Sequence, residues 1–328
     1  MSSMTSRERI LTALNLEQPD HVPFFDSIDP RMQRKIMGTD NFTPIELAQK
    51  LNLDAIGFDV FPPLFCKRQE LDGIDHVVDG LIKTKDDLKI MDLPNPDDES
   101  LYTHAKEFVE KYGNSGYAIY ARARLGASPT LLSMGMDGFS YALVDNPQLI
   151  EEVFDNYTDW CGRVIENLNE IGVDLIWTCD DIAFKSGPMF SPQVFREIFL
   201  PRMKRVADKI KVPWIYHSDG NLMPVLDDLL TIGMNCIHPL EPGPMDIQQV
   251  KKDYGDRVCL MGNIDLHYTL TRGTPEEVDA EVKLRISQVG PGGGYILASA
   301  NSIPIYVKPE NLIAMSEAVQ KYGKYPLG

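Results

Sequence analysis

The stretch Trp214-Ile215-Tyr216-His217-Ser218-Asp219-Gly220-Asn221 has the pattern of a β-strand that ends in polar residues. Its first three residues favour a strand, whereas Gly220-Asn221 favours a turn. His217 and Asp219 stand two residues apart, so that on an extended chain their side chains share one face. This is how a parallel strand ends when its tip carries chemistry, although the same residues could also cap the following helix.

Seven further segments have the pattern of strands, and most of them are separated by helical patterns. In the longest helical pattern, apolar residues from Leu149 to Leu168 recur at spacings of one, three and four. Strand starts from Val173 onward recur every 20 to 40 residues or so, as βα units require. The predicted strands cover residues 21–26, 53–59, 117–121, 173–179, 234–238, 257–261 and 294–297.

Together with the strand that ends at Tyr216, these segments predict an α/β fold of the (β/α)8 TIM-barrel type. We expect one domain over residues 1–328, with an N-terminal helical extension that begins at the T-x-x-E capping box of Thr5 and Glu8. A doubly wound open sheet is the alternative. It is less favoured because the sequence has neither a G-x-G-x-x-G motif nor a Walker loop.

Charge and cysteine content limit the partners and the compartment. A net charge of −16 over 328 residues disfavours nucleic acid and anionic membranes as partners, because both require a positive face. The five cysteines form no C-x-x-C pair, and several lie in apolar runs, as buried thiols do in a reducing compartment. The polar amino terminus lacks the apolar region of a signal peptide, and we expect a cytoplasmic protein.

In a barrel of this type the carboxyl ends of the strands converge on one mouth, which makes their polar residues candidates for the active site. We predict catalytic roles for His217, Asp219, Glu241 and Asp181. We predict contacts with a substrate for Asp26, Phe24, Asp180, Tyr216, Asn263, Asn301 and Arg122. A ring-binding slot could be formed by Phe24, Phe25, Phe58 and Tyr216.

Structural roles are open for several of these residues. Asp180 and Asp181 could serve a turn and a helix cap, Arg122 could form an ion pair, and Asn263 could simply form a turn beside Gly262. His217, Asp219 and Glu241 offer ligand atoms for Zn²⁺. Because no cysteine is expected at a strand end beside His217, a thiolate-rich zinc site is not predicted, and metal content stays open.

Several motifs together resemble the uroporphyrinogen decarboxylase superfamily. They begin with Arg7-Glu8-Arg9-Ile10-Leu11-Thr12-Ala13-Leu14, followed by Pro19-Asp20-His21-Val22-Pro23. The others are Asp180-Asp181 with Ser191-Pro192, His217-Ser218-Asp219-Gly220-Asn221, Gly262-Asn263-Ile264-Asp265 and Gly294-Tyr295-Ile296-Leu297. The resemblance spans nearly the whole chain and implies a (β/α)8 barrel. The superfamily contains the decarboxylase and methyltransferases that work with corrinoid proteins.

Departures from the family pattern favour one branch. The decarboxylase grips its polycarboxylate substrate with an Arg-rich stretch, where this chain has Phe24-Phe25-Asp26-Ser27-Ile28-Asp29-Pro30. The coenzyme M methyltransferases bind zinc through His-x-Cys and a later Cys. Here Asp219 takes the first Cys position and Asn301 falls at or near the second. Zinc therefore stays open as a cofactor, but without a thiolate site.

The resemblance to members associated with O-demethylation implies methyl transfer from a small O-methyl donor, expected to be an aryl methyl ether. The acceptor would be cob(I)alamin, and an acid would assist the leaving oxygen. Residues 265–270 lack the Gly of a D-x-H-x-x-G cobalamin motif, so the corrinoid is expected on a separate protein that docks over the mouth.

Three alternatives to this reaction remain. The first is a lyase that acts on a carboxylated aromatic or a tetrapyrrole. The second is a corrinoid methyltransferase of the methylamine or methanol type, and the third is a barrel that binds without catalysis. The resemblance also allows a homodimer.

Overall fold

The computed structural model describes residues 3–71 and 74–327 and contains a parallel sheet of seven strands in the order β1-β4-β5-β8-β9-β10-β11. Two short antiparallel pairs, β2-β3 and β6-β7, lie outside this sheet. The strands are β1 (Ala55–Asp59), β2 (Cys66–Leu71), β3 (Ile74–Gly80), β4 (Ala118–Ala123), β5 (Leu175–Cys179), β6 (Ala183–Phe184), β7 (Gly187–Pro188), β8 (Trp214–His217), β9 (Cys236–His238), β10 (Cys259–Ile264) and β11 (Tyr295–Ser299).

Helices surround the sheet, as in repeated βα units. They are α1 (Ser6–Leu14), α2 (Pro30–Met37), α3 (Pro44–Lys50), α4 (Thr103–Tyr112), α5 (Ala127–Met134), α6 (Met136–Asp145), α7 (Pro147–Ile171), α8 (Pro192–Val194), α9 (Leu200–Ala207), α10 (Leu226–Leu230), α11 (Ile247–Tyr254), α12 (Pro275–Val289) and α13 (Pro309–Tyr322). A π-helical turn, Phe195–Phe199, joins α8 to α9, and 3₁₀ turns cover Lys85–Ile90, Glu99–Tyr102 and Met223–Val225. The long amphipathic helix predicted from Leu149 to Leu168 is confirmed as the middle of α7.

Residues 22–28 close the sheet into a barrel between its two edge strands. Phe24 forms a parallel bridge with Leu297 of β11, and the Leu297 N–H donates to the carbonyl of Pro23 at 2.9 Å. On the other side, Asp54 donates its N–H to the carbonyl of Phe24 and accepts the Phe24 N–H on its carboxylate. The segment thus takes the eighth strand position, and the predicted (β/α)8 barrel is confirmed.

This eighth position is not a regular strand, although the sequence predicts one over residues 21–26. Pro23 has no N–H to donate, and the N–H of Phe24 is used by the Asp54 side chain instead of a neighbouring backbone. Within the described part of the chain, no backbone hydrogen bond joins residues 25–28, which follow Phe24, to β1. We call this gap between residues 25–28 and β1 the seam.

The aromatic core of the barrel lies just below its mouth. Rings of Phe25, Tyr120, Trp177 and His238 meet there at centroid distances of 5.1 to 5.7 Å, mostly edge to face. At the opposite end, α1 covers the strand starts, and its capping box on Thr5 and Glu8 forms as predicted. No helix within residues 3–71 and 74–327 combines the length and the apolar character that a membrane span requires.

The β2-β3 hairpin follows β1 and was not predicted from the sequence. Its first strand, Cys66–Leu71, is mostly exposed and carries Lys67, Arg68 and Glu70, so that it shows none of the apolar alternation that marks a half-buried strand. The hairpin packs against α5 instead of joining the barrel.

We predict that closure of the barrel depends on Asp54. Asp54 is 5% exposed, and its carboxylate pairs with the Arg9 guanidinium at 2.5 Å while accepting the Phe24 N–H. Asp54→Ala leaves both partners without this acceptor and should lower the free energy of unfolding by about 3–5 kcal/mol in urea titrations. Asp54→Asn keeps an oxygen for Phe24 and should cost less than Asp54→Ala.

The control is Asp159→Ala on α7, because Asp159 is 77% exposed and pairs with Arg205 at the surface. This change should cost less than about 1 kcal/mol. Equal losses for Asp54→Ala and Asp159→Ala would contradict the role of Asp54 in closure.

Candidate active site

Two neighbouring strands bring a histidine and two acids together at the mouth. His217 is the last residue of β8, Asp219 follows two residues later, and Asp181 stands two residues beyond the end of β5. The Nε2 atom of His217 lies 3.4 Å from Asp181 Oδ1 and 3.7 Å from Asp219 Oδ1. We call these three residues the His-Asp-Asp cluster.

Asp219 is held in place by contacts from three directions. Its N–H donates to Asp181 Oδ1 at 3.1 Å, and its Oδ2 accepts a hydrogen bond from the Asn301 amide after β11. The next residue, Gly220, has φ +84° and packs so closely on β6 that a Cβ would meet the carbonyl oxygen of Phe184 at 2.6 Å. The Oδ1 atom of Asp219 is buried without a hydrogen-bond partner and is free for chemistry.

A second histidine supports the ring of His217 from behind. The Nδ1 atoms of His217 and His238 lie 2.6 Å apart, so one hydrogen is shared between them. Burial and the nearby charge of His217 lower the pKa of His238 well below its ordinary value, which makes His238 the acceptor. His217 therefore donates from Nδ1 and presents Nε2 to the two acids.

The environment separates the pKa values of the two acids. Burial raises the pKa of Asp219 to about 6, with Asp181 and Glu241 adding to the rise against the charge of His217. For Asp181, burial is outweighed by the hydrogen bond and charge of His217, and its pKa is lowered. Burial lowers the pKa of His217, but the hydrogen bond to Asp181 and the charges of Asp181 and Asp219 outweigh burial, so the pKa of His217 is raised. A charged His217 thus stands beside one firmly ionised acid and one that can hold a proton near neutral pH.

The same cluster has the dimensions of a metal site. In the part of the chain that the structure describes, Asp181, His217 and Asp219 each offer a ligand atom, and these atoms lie within 4.8 Å of one another. Ligands of a tetrahedral Zn²⁺ stand about 3.4 Å apart, which agrees with the separations around His217 Nε2. The unpartnered Oδ1 of Asp219 also fits a ligand role. These residues could therefore hold a divalent cation in place of the proton, while His238 orients the ligand histidine.

Through Asp219, the cluster borders a cavity of about 910 Å³, which we call the mouth cavity. Asp219, Glu241 and Asn301 line it, and Glu241 pairs with Lys185 at 3.0 Å. Asp265 also lines it, but its carboxylate accepts the backbone N–H groups of residues 267–269 and is used by that turn. The structure thus brings Asp181, His217, Asp219, Glu241 and Asn301 together.

Three residues expected at the substrate lie in the core instead. Asp180 is fully buried, and its oxygens accept the N–H groups of Leu125 and Ser128 at the start of α5, which is the helix-cap role left open by the sequence. Tyr216 faces away from His217 and donates to the Asp180 carbonyl at 2.9 Å. Phe24 is fully buried, and by strand alternation it faces away from Phe25 in the barrel core.

The other expected residues have mixed positions. Arg122 makes a bidentate ion pair with Asp59, both contacts at 2.6 Å, as the alternative reading of that arginine allowed. Asn263 is buried and donates to the Leu240 carbonyl at 2.6 Å. Asp26 accepts the N–H groups of Ser27 and Ser299, and burial raises its pKa to about 7.

Sequence reasoning was wrong about one cysteine and did not assign a role to His238. Cys179 ends β5 in register with His217, although no cysteine was expected beside that histidine. Counting alternate residues back from Asp181 would have placed Cys179 on the same inward face. Burial raises the pKa of its thiol to about 12, so a thiolate is still not available there. The support that His238 gives to His217 has no signal in the sequence, because it depends on the register between β8 and β9.

Comparison with protein families gives one match that covers most of the chain. The model of the uroporphyrinogen decarboxylase (URO-D) family matches residues 76–322. The methylcobamide:CoM methyltransferase MtaA of Methanosarcina barkeri is 27% identical over 179 residues, which are 55% of this chain and 51% of that protein. A uroporphyrinogen decarboxylase of Chlorobium phaeovibrioides is 28% identical over 231 residues, 68% of this chain and 57% of that protein. The chain thus spans about half the length of these curated relatives.

Solved structures support the barrel. A methyltransferase from Methanosarcina mazei has a TM-score of 0.77 at 20% identity and covers 98% of this chain and 99% of its own. A B12-independent methionine synthase from Shewanella has a TM-score of 0.54 at 14% identity, over 93% of this chain and 98% of its own. At these identities the likeness concerns the fold alone.

We predict that Asp181 sets the charge of His217. In metal-free protein treated with chelator, the Asp181→Asn variant loses the negative charge that helps to raise the His217 pKa and keeps only a neutral amide oxygen as acceptor, so that pKa should fall. The wild-type ring should lose its proton only as pH rises past the ordinary histidine value of about 6.5. Titration of ¹⁵N-histidine signals by NMR measures both values, and an unchanged pKa in Asp181→Asn would contradict the assignment.

We also predict that Zn²⁺ competes with the proton on His217. Its Nε2 must lose hydrogen to become a ligand, so affinity measured by calorimetry should rise with pH until the pH passes the raised His217 pKa. Asp219→Asn should weaken binding, whereas Asp159→Asn on the exposed face of α7 should not. Affinity that is independent of pH would place any bound zinc elsewhere.

Proposed function

Because the chain belongs to the uroporphyrinogen decarboxylase family, we propose that it is an enzyme that transfers a methyl group from a small O-methyl donor to the corrinoid of a separate protein. The donor proposed is an aryl methyl ether. This chain is similar both to a methylcobamide:CoM methyltransferase and to uroporphyrinogen decarboxylases, so our choice between the two reactions is made from the site.

The observation that carries the proposal is the separation of the two acids around one charged histidine. Asp219, with its pKa raised to about 6, can hold a proton near neutral pH, while Asp181 stays ionised beside His217. An acid of this kind is what a phenolate leaving group requires, because an unassisted phenolate leaves poorly. A positioned acid typically contributes about 10²- to 10⁴-fold in rate.

The proposed step is a nucleophilic displacement at the methyl carbon. Reduced cobalamin on the partner protein would supply the electron pair for the new bond to the methyl carbon, while the bond from that carbon to oxygen breaks and the oxygen leaves with its bonding pair. Asp219 gives a proton to the departing oxygen, and His217, whose Nε2 lies 3.7 Å from Asp219 Oδ1, can return one once the two atoms close to hydrogen-bond distance. Asn301 keeps the Asp219 carboxyl pointed into the mouth cavity. Glu241 raises the pKa of Asp219 through its negative charge.

The residues present do not favour a thiol-activating site. Cys179 is the cysteine at the mouth end of β5, and its raised pKa keeps its thiol protonated. A zinc ion held by Asp181, His217 and Asp219 would act as a Lewis acid and polarise the leaving oxygen. It would then replace the proton of Asp219 in assisting that oxygen to leave. Either form serves an oxygen leaving group.

The proposed corrinoid protein would dock over the mouth cavity. Tyr306 lines this cavity and is 60% exposed, and Phe184, the neighbour in sequence of the lining residue Lys185, is 49% exposed. Lys185 and Arg272 line the same cavity and offer local positive charge in a chain whose net charge is −16. Aromatic residues and arginine are enriched at protein interfaces, which agrees with Tyr306 and Arg272 at this cavity.

We predict that Asp219→Asn slows methyl transfer most for the poorest leaving groups. With reduced cobalamin as acceptor and a series of substituted methoxybenzenes, formation of methylcobalamin should fall by about 10²- to 10⁴-fold for donors that release a basic phenolate. The loss should shrink for donors with electron-withdrawing substituents, whose phenolate needs no proton. Asp159→Asn is the matched control and should behave as wild type.

Several outcomes would overturn the proposal. Absence of methylcobalamin from every methoxyarene would reject the aryl ether donor, and turnover of methanol or methylamines in the same assay would replace it. Release of carbon dioxide from carboxylated aromatics or porphyrinogens without methyl transfer would favour the lyase. An equal loss across the donor series would contradict the role of Asp219 as the acid.

A further inference from the structure

One arginine at the mouth cavity differs from the other arginines of the chain. Arg272 is exposed and lines the cavity, and its guanidinium has no ion pair, hydrogen bond or ring contact with any residue in 3–71 and 74–327. Every other arginine in these ranges pairs with a carboxylate, except Arg124, which donates to the Cys179 carbonyl and packs on Phe61. The positive charge of Arg272 is therefore free for a ligand.

The loop that carries Arg272 is held firmly, although the side chain itself is exposed. Asn311 on α13 is fully buried and donates to three backbone carbonyls within residues 269–273, each at 3.1 Å. Lys308 donates to the carbonyl of Arg272 at 2.9 Å. Because the backbone is already fixed, a ligand that binds Arg272 has to order only the side chain.

Apolar side chains line the same cavity as Arg272 and Asp219. They include Pro242, Leu266 and Tyr306, whose rings and methyl groups offer a surface on which an aromatic ring can pack. The cavity volume of about 910 Å³ lies within the range of roughly 300–1,000 Å³ that is usual for sites of small molecules. The lining thus combines an acid, an apolar wall and an unpaired cation.

The acids that line the mouth cavity are already in use. Glu241 pairs with Lys185 at 3.0 Å, and Asp265 accepts the backbone N–H groups of residues 267–269. Asp219 faces the histidine of the His-Asp-Asp cluster. One unpaired guanidinium favours a ligand with one carboxylate, because a planar fork matches that group, whereas a second carboxylate would face the acids.

From these observations we propose that the mouth cavity binds a single-ring aromatic molecule with one carboxylate, and that Arg272 selects this ligand by an ion pair. On the proposed function, which this inference deepens, the ligand is the methyl donor, and the donor is a methoxybenzoate. Its carboxylate would contact Arg272 and its methoxy oxygen would face Asp219. The binding itself requires no corrinoid and is tested without one.

The test compares 4-methoxybenzoate with 4-methoxybenzamide, which has the same ring and methoxy group but no charge. Calorimetry on chelator-treated protein measures both, so that a metal ion in the His-Asp-Asp cluster cannot bind the carboxylate. Arg272→Gln should weaken binding of 4-methoxybenzoate about 5- to 10-fold, between the effect of an exposed ion pair and that of a hydrogen bond to a charged group. Binding of 4-methoxybenzamide should not change.

Two further variants separate the fork of Arg272 from general charge effects. Arg272→Lys keeps the charge but loses the planar fork, and its affinity should lie between those of wild type and Arg272→Gln. Arg257→Gln removes a guanidinium that pairs with Asp227 at the opposite end of the barrel, and it should bind 4-methoxybenzoate as wild type does. Because no second protein is present, a loss in Arg272→Gln reports on the small ligand and not on docking.

Several results would overturn the inference. They are an unchanged affinity for 4-methoxybenzoate in Arg272→Gln, an equal loss for 4-methoxybenzamide, and an equal loss in Arg257→Gln. Tighter binding of 4-methoxyphthalate, which carries a second carboxylate, would contradict the preference for one. Binding of 4-methoxybenzoate through Arg272 without any methyl transfer would sink the proposed function and leave this inference standing. Methyl transfer from 4-methoxybenzoate with an unchanged KM in Arg272→Gln would do the reverse.

Discussion

The site depends on the hydrogen-bonded register between β5 and β8. That ladder continues past the last residue of each strand, because the Asp180 N–H still donates to the His217 carbonyl and the Ile182 N–H donates to the Ser218 hydroxyl. A shift of one residue would turn Asp181 toward α5 and Asp180 toward His217. The buried hydrogen bonds of Asp180 to the backbone N–H groups at the start of α5 oppose such a shift. Asp180 caps the helix, and Asp181, the next residue, faces the opposite way and contacts His217.

A second constraint is electrostatic. Asp181, Asp219 and Glu241 stand together in a chain that already carries a net charge of −16, and their mutual repulsion is costly in a partly buried site. One positive charge at His217 Nε2, either a proton or a metal cation, reduces this repulsion. Arg124 assists from the side: its guanidinium donates to the Cys179 carbonyl, packs on the Phe61 ring, and favours the ionised form of Asp181.

Much of the fold could be predicted from the sequence, because parallel strands buried on both faces leave apolar runs with polar ends. The strand ends at His217, Asp181 and Glu241 were identified in this way, and the structure brings them to one mouth. The direction of each side chain was harder to predict. Asp180, Tyr216 and Phe24 were expected at the ligand because they stand beside strand ends, but alternation turns each of them into the core. The pairing of His217 with His238 and the seam depend on contacts between distant segments, which leave no local pattern.

The seam has a consequence for how this barrel can change over evolution. Elsewhere, widening the barrel would break a ladder of backbone bonds shared by several strands. At the seam, the backbone bonds of the described residues attach the eighth position to β1 at Asp54, and above that point the link is made by side chains, with Arg122 donating to both Ser27 and Asp59. Substitutions there can enlarge or reshape the space without altering any strand pairing, while the His-Asp-Asp cluster is carried by the fully laddered strands β5 and β8. Changes of shape at the seam and changes at the His-Asp-Asp cluster thus fall on different parts of the barrel, and the first can accumulate while the second stays constant.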